Sequence, residues 1–255
     1  MLHTVWGMKR ILTLASVVGL GLLAACGSDD ATSSEAAVAT EAPDDQSNTP
    51  AEAPDGLVSV AKSGFSTFEA VGEIRATMGA LIQSNADQDL VEVQVTYDFV
   101  GSDGTSVATE TSTIAFLPAG EAVANSAQTM TDLTNSMPVT VEVTASADED
   151  AGFGFEWAEL EVIVADPVIA VDDDDFFSGF SGTVTNTTDI TSEYNEVTCL
   201  VIAADGSVLG GATGFADTIE PGETATWNAQ GIDDFVPFAE ADASVSNCRT
   251  FIVVG

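Results

Sequence analysis

The residue types that carry most protein chemistry are scarce in this chain. In 255 residues it has one histidine, His3, and three cysteines, Cys26, Cys199 and Cys248. Beyond residue 10 the basic side chains are Lys62, Arg75 and Arg249. A Ser-His-Asp or Cys-His nucleophile needs an imidazole to take the proton, and the usual zinc sites draw on the same ring. Phosphoryl transfer needs Lys or Arg to clamp the phosphates. These chemistries are therefore not expected, and neither is a cofactor, a metal or a catalytic residue. Carboxylates remain, since Asp and Glu number 41. Two of them flanking a cleft can hydrolyse a glycoside, but abundance does not make a pair. A carboxylate-dependent hydrolase ranks last among the readings.

Two acidic runs could form sites. Asp172, Asp173, Asp174 and Asp175 precede Phe176 and Phe177, and Asp148, Glu149 and Asp150 lie between the two halves of the chain. Oxygen-rich runs can hold calcium, so a calcium-stiffened adhesion or ligand-capture module is the alternative reading. The EF-hand spacing is absent, however, and adjacent aspartates on an extended chain point in alternating directions. The plainer reading is solvated loops. The net charge of −36 excludes nucleic acid as a partner, because phosphate binding needs a basic surface. Such acidity also keeps copies apart in solution.

The N-terminus reads as an address. Lys9 and Arg10 precede fifteen uncharged residues, 11–25, too short for a membrane helix of about 20 residues. They suit the apolar stretch of a secretory signal, with Met8 as the expected start. The stretch ends in Leu23-Ala24-Ala25-Cys26, which resembles the bacterial lipobox. That resemblance implies that the Cys26 thiol takes a diacylglycerol, that residues before it are removed, and that the exported protein is held on the outer face of a membrane. Residues 27–56, rich in Ala, Ser, Thr, Asp and Glu with Pro43, Pro50 and Pro54, read as a disordered acidic tether.

Beyond residue 56 the chain repeats itself at an offset near 102. Asp103-Gly104 matches Asp205-Gly206, Gly120-Glu121 matches Gly222-Glu223, and Asn85 is set against Asn186. Between these turn residues run alternating apolar segments. Val91, Val93, Val95, Tyr97 and Phe99 share one face of a strand and Glu92, Gln94, Thr96 and Asp98 the other. Asp-Gly after such a run is a hairpin signal. The expected fold is all-β: two tandem immunoglobulin-like sandwiches over residues 57–158 and 159–255, following the signal at 1–26 and the tether at 27–56. The string running from VTNTTD through EVTCLVIAADGSVLGG to IEPGETATW resembles the FxLYD domain, a small β-sandwich of exported prokaryotic lipoproteins. The resemblance implies a fold and an exported setting, and carries over no catalytic residue.

Cys199 takes the inward phase that Tyr97 holds in the first copy, alternating with Val197 and Val201. Outside the cell two remaining cysteines most often pair, so Cys199–Cys248 is expected as a disulfide within the second copy. Cys248 is out of phase with inward-reading Val245, which calls for a bulge or bend at Ser246-Asn247. By the offset, Tyr97 and Ser146 hold the corresponding places in the first copy. The leading reading is a non-enzymatic, membrane-anchored exported lipoprotein. Its partners are the bilayer, through acylated Cys26, and an unidentified envelope or extracellular protein or glycan.

Overall fold

The computed structural model describes residues 56–70, 72–129, 131–148, 154–165, 170–171, 178–230 and 242–254. His3, Cys26, Glu149, Asp150, the aspartates at 172–175 and nearly all of the tether lie outside them. The described residues belong to one compact unit, 50–255. They are all-β. The first half runs β1 (Val58–Ala70), β2 (Glu73–Ser84), β3 (Leu90–Val100), β4 (Ser106–Leu117), β5 (Ala122–Gln128) and β6 (Thr140–Ser146). The rest runs β7 (Trp157–Glu159), β8 (Glu161–Val164), β9 (Ala170–Val171), β10 (Ser178–Thr185), β11 (Asn195–Ile202), β12 (Val208–Ala216), β13 (Thr224–Gln230), β14 (Ser244–Arg249) and β15 (Phe251–Val253).

The repeat is visible in the order of the strands. The first half has two sheets, β1-β2-β5 and β4-β3-β6; the second has β8-β10-β13-β12-β11-β14, with β9 added beside β10. The second order is the first with its two sheets joined, because β12 pairs with β13 from Gly214↔Ala229 to Ala216↔Trp227. In the first half the equivalent β4 and β5 meet through side chains: Ser112 Oγ donates to the Ser126 carbonyl and Asn125 Nδ2 to Ser112 Oγ.

The turn residues behave as the repeat predicts. Gly104 and Gly206 both have positive φ, +78° and +84°. In each copy the aspartate three residues before the next strand accepts from the residue two positions on, Thr105 or Ser207, at backbone and hydroxyl alike. One match shifts by a residue. The Ser84 amide donates to the Glu121 carbonyl as that of Asn186 does to Glu223, so the partner of Asn186 is Ser84, not Asn85. Ser84 Oγ and Asn186 Oδ1 both accept the amide two residues on.

Each half has its own hydrophobic core. In the first, Met78 and Ile82 of β2 face Val93, Val95, Tyr97 and Phe99 of β3. The alternation read along β3 holds from Val93 onward. Before it Glu92 adopts a φ of 53°, which turns Leu90 inward and leaves Val91 half-exposed. The second core gathers Val184, Val197, Cys199, Val201 and Trp227. Trp227 lies over Gly182, where a Cβ would stand 2.6 Å from the indole nitrogen.

The halves meet through glycine. Residues 76–80 of β2, Ala-Thr-Met-Gly-Ala, are all buried, because both faces of the strand are covered. One face turns to the first core and the other to β12. A Cβ on Gly79 would lie 2.2 Å from the Gly210 carbonyl oxygen, one on Gly64 1.9 Å from that of Val208, and one on Gly211 2.2 Å from Ser126 Cβ. Facing sheets ordinarily stand about 10 Å apart, with side chains between them; these backbones come closer than any side chain would allow. Two bonds cross the contact. Thr77 Oγ1 donates to the Gly211 carbonyl at 3.2 Å, and the Ser126 and Thr213 hydroxyls are 2.7 Å apart. The position set between residues 158 and 159 falls inside β7, which pairs with β15.

Candidate binding groove

The Cys199–Cys248 disulfide is present, spanning 49 residues of sequence. The irregularity it requires lies where the phase of β14 demanded it. Thr198 pairs with Arg249 and Leu200 with Ser246, so two residues, Asn247 and Cys248, stand against Cys199, and Asn247 adopts a φ of 53°. Such a bulge re-aims the residues around it. The first copy is different from the expectation: Tyr97 pairs with Val143 and Ser146 with Gln94, so Val143 faces Tyr97 where Cys248 faces Cys199. The offset of 102 fails there: it has already grown to 104 where β14 begins, since Ser244 pairs with Ile202 as Thr140 does with Val100, and the bulge adds one residue more.

Beyond the bulge, Arg249, Thr250 and β15 turn toward the first half. Arg249 Nε and Nη2 hold both oxygens of Glu159, at 2.6 and 2.5 Å, and Nη1 reaches Glu121 at 2.7 Å and the Ala122 carbonyl at 3.3 Å. Burial alone would lower the Arg249 pKa. The bonds to Glu159 and Glu121 outweigh it, and the guanidinium sits above its ordinary value. Its carbon also stands 4.8 Å over the Phe251 ring. Phe251 meets Phe116 edge-on, and Phe116 stacks on Trp157 with centroids 5.2 Å apart and planes 11° from parallel.

These side chains form one wall of a groove of about 540 Å³ between the halves. Residues 112–116 of β4 and 123–126 of β5 contribute from the first half. Tyr194, with its neighbours Glu193 and Glu196, lines the groove from the second half, and Tyr194 is 65% exposed. Its hydroxyl donates to Glu196 and its ring leans on Phe215, itself exposed. The inner wall is tied to the first core: the buried Tyr97 hydroxyl donates to Asn125 Oδ1 at 2.8 Å, and Asn125 Nδ2 passes the chain on to Ser112. Burial pushes the Tyr97 phenol well above its ordinary value, so it acts as a fixed donor. Two residues that line the groove each carry a polar atom, Trp157 Nε1 and Thr250 Oγ1, that is buried with no hydrogen-bond partner among the described residues. Unpaired buried donors are uncommon, because each costs the desolvation of the group.

No family model matches the chain, and no curated protein matches it. Among solved structures it is similar to the C-terminal globular domain of an oligosaccharyltransferase from Pyrococcus abyssi, at 9% identity and a TM-score of 0.20. The match covers 78% of this chain and 48% of that one, so the chain spans about half the length of that neighbour. A likeness so distant bears on neither fold detail nor activity.

The residues singled out in the sequence are thus distributed. Cys199 and Cys248 are joined and set the groove's Arg249 and Thr250 in place. Cys26 and the aspartates at 172–175 lie outside the described residues. Among the described residues no group of three His, Cys, Asp or Glu side chains is placed to hold a metal ion. The groove itself was not read from the sequence. Its residues come from five separated segments, and the nearest signal was the glycine pair of "VLGGATG", which marks a close approach of backbone.

Proposed function

We propose that the chain is an exported, non-enzymatic binding protein, carried on a membrane by an acylated Cys26 and a tether, with the groove as its contact site. The observation behind this reading is the groove: an aromatic wall, two unpaired buried polar atoms and walls supplied by both halves. Concave, mostly apolar sites with a few fixed polar groups are where ligands bind. The scarcity of imidazole, thiol and amine argues against nucleophilic and acid–base catalysis there. The FxLYD resemblance and the lipobox agree with an exported setting. The anchor is tested by substitution. Cys26→Ser should abolish incorporation of labelled palmitate and move the protein out of the membrane fraction. A mutant that stays membrane-bound, beside a native protein that takes no label, contradicts the anchor. The contact site is tested separately: Trp157→Ala should reduce retention of the protein's partner from its own envelope, and undiminished retention contradicts the site.

A further inference from the structure

We infer that the groove takes a neutral carbohydrate, its pyranose rings laid on the aromatic wall; the inference rests on the binding reading above. Three features select the ligand. The first is the wall of Phe116, Trp157 and Phe251, with Tyr194 lining the same groove. One side of a pyranose is a patch of C–H bonds, weakly positive and apolar, and aromatic faces carry the complementary negative charge. The second is the pair of unpartnered atoms. Trp157 Nε1 can only donate, whereas Thr250 Oγ1 can donate or accept. Both are covered in the unliganded chain, so a ligand reaches them only once these side chains turn toward it; a sugar hydroxyl then serves both without bringing a charge into the groove. The third is charge. Arg249, the basic side chain of the groove, is held by Glu159 and Glu121, while Glu193 and Glu196 line the groove with acceptor oxygens. A chain of net charge −36 also repels anions at long range.

Other ligand classes fit less well. A phosphate or uronate meets the repulsion. An organic cation would suit the rings and carboxylates, but it offers no acceptor to the Trp157 N–H. An alkyl chain leaves both polar atoms unpaired. An extended peptide would need the open edge of β4, and at Ser112 the side-chain bonds to Asn125 and Ser126 stand across that edge. The volume, about 540 Å³, lies within the range of about 300–1,000 Å³ that small-ligand sites occupy.

The test is titration calorimetry on the full exported protein, in a detergent without a sugar head group. The probes are neutral hexose and N-acetylhexosamine trisaccharides, trigalacturonate, and an alternating Thr-Val hexapeptide. At least one neutral trisaccharide should bind saturably while trigalacturonate does not. Trp157→Phe keeps the ring and removes the N–H, and Thr250→Val keeps the shape and removes the hydroxyl. Each should weaken binding about tenfold, with the melting temperature of the unliganded protein unchanged or raised. Equal binding of trigalacturonate, or sugar binding indifferent to both substitutions, overturns the assignment. Saturable binding of the hexapeptide alone overturns it in favour of strand addition. If no probe binds, the carbohydrate assignment falls. Retention of the envelope partner by the native protein and its loss in Trp157→Ala would then leave the binding reading standing.

Discussion

Arg249 shows how much one residue can carry in a chain this poor in cations. Its side chain is 16% exposed and answers two carboxylates, one from each half. Charge-assisted, bidentate bonds of this kind are about twice as strong as neutral ones. Arg249→Ala should cost about 1–3 kcal/mol in chemical denaturation, and Arg249→Lys should recover little of it, because an ammonium cannot grip both oxygens of Glu159. Tyr97 makes a second case. Tyr97→Phe removes the donor to buried Asn125 and should cost about 1–2 kcal/mol, although the ring still fills the core. The turn aspartates give a pH signature. Hydrogen bonds from Thr105 and Ser207 hold the Asp103 and Asp205 carboxyls below the ordinary 3.8. Their folded pKa is lower than the unfolded one, so their contribution is complete above the unfolded value and is lost as pH falls through the folded one. Carboxyl carbon shifts in an NMR titration should place both midpoints under 3.8. Midpoints at or above that value would show the turn bonds are not formed in solution. Of these residue roles, the inward phase of Tyr97 and Cys199 was legible from alternation. The Tyr97 hydroxyl's partner and the two carboxylates on Arg249 were not, because they sit 28, 90 and 128 positions away in sequence.

At the scale of elements, turns and strands were readable and their approach was not. Asp-Gly and Gly-Glu marked the turns because only a few residues accept positive φ cheaply. Alternation marked β3 because one of its faces is buried and the other is not. It gave no such mark on β2, where residues 76–80 are covered on both sides and the pattern becomes a run of small residues. The same compactness places Gly79 against Gly210 and Gly211 against Ser126. Gly79→Ala and Gly211→Ala should each destabilise by about 1–3 kcal/mol or more, since the clash is with backbone or with Cβ and nothing flexible can give way. Gly72→Ala is the control: open space surrounds it, and only the cost of a positive φ, about 1 kcal/mol, should appear. Thermal melts of the three variants separate a packed contact from a backbone preference. Equal, small losses at all three would mean that the strands do not meet as described. The repeat itself was legible at this scale, with two slips: Asn85 for Ser84, and Ser146 for Val143. The first comes from matching Asn to Asn, since the offset of 102 itself points to Ser84; the second comes from carrying that offset into β14, where the second copy has gained residues.

At the scale of the molecule, the two copies are not independent. Were the copies two separate sandwiches, a reductant would weaken the second and leave the first nearly alone. The strand contacts of β2 with β12, the hold of Arg249 on Glu121 and the packing of Phe251 against Phe116 argue otherwise, because each spans both copies. Opening the Cys199–Cys248 bridge frees a loop of 49 residues of sequence separation, and the chain-entropy estimate for such a loop is about 4 kcal/mol. That loss should reach the first half through the shared contacts and loosen the groove that depends on them. Calorimetric scanning of the oxidised protein, with and without a thiol reductant, tests this most directly. One cooperative transition is predicted, and reduction should move it as a whole to lower temperature. Two transitions, with only one shifted by the reductant, would contradict the account: the halves would then be separate bodies, and a groove built from both could not be a fixed site.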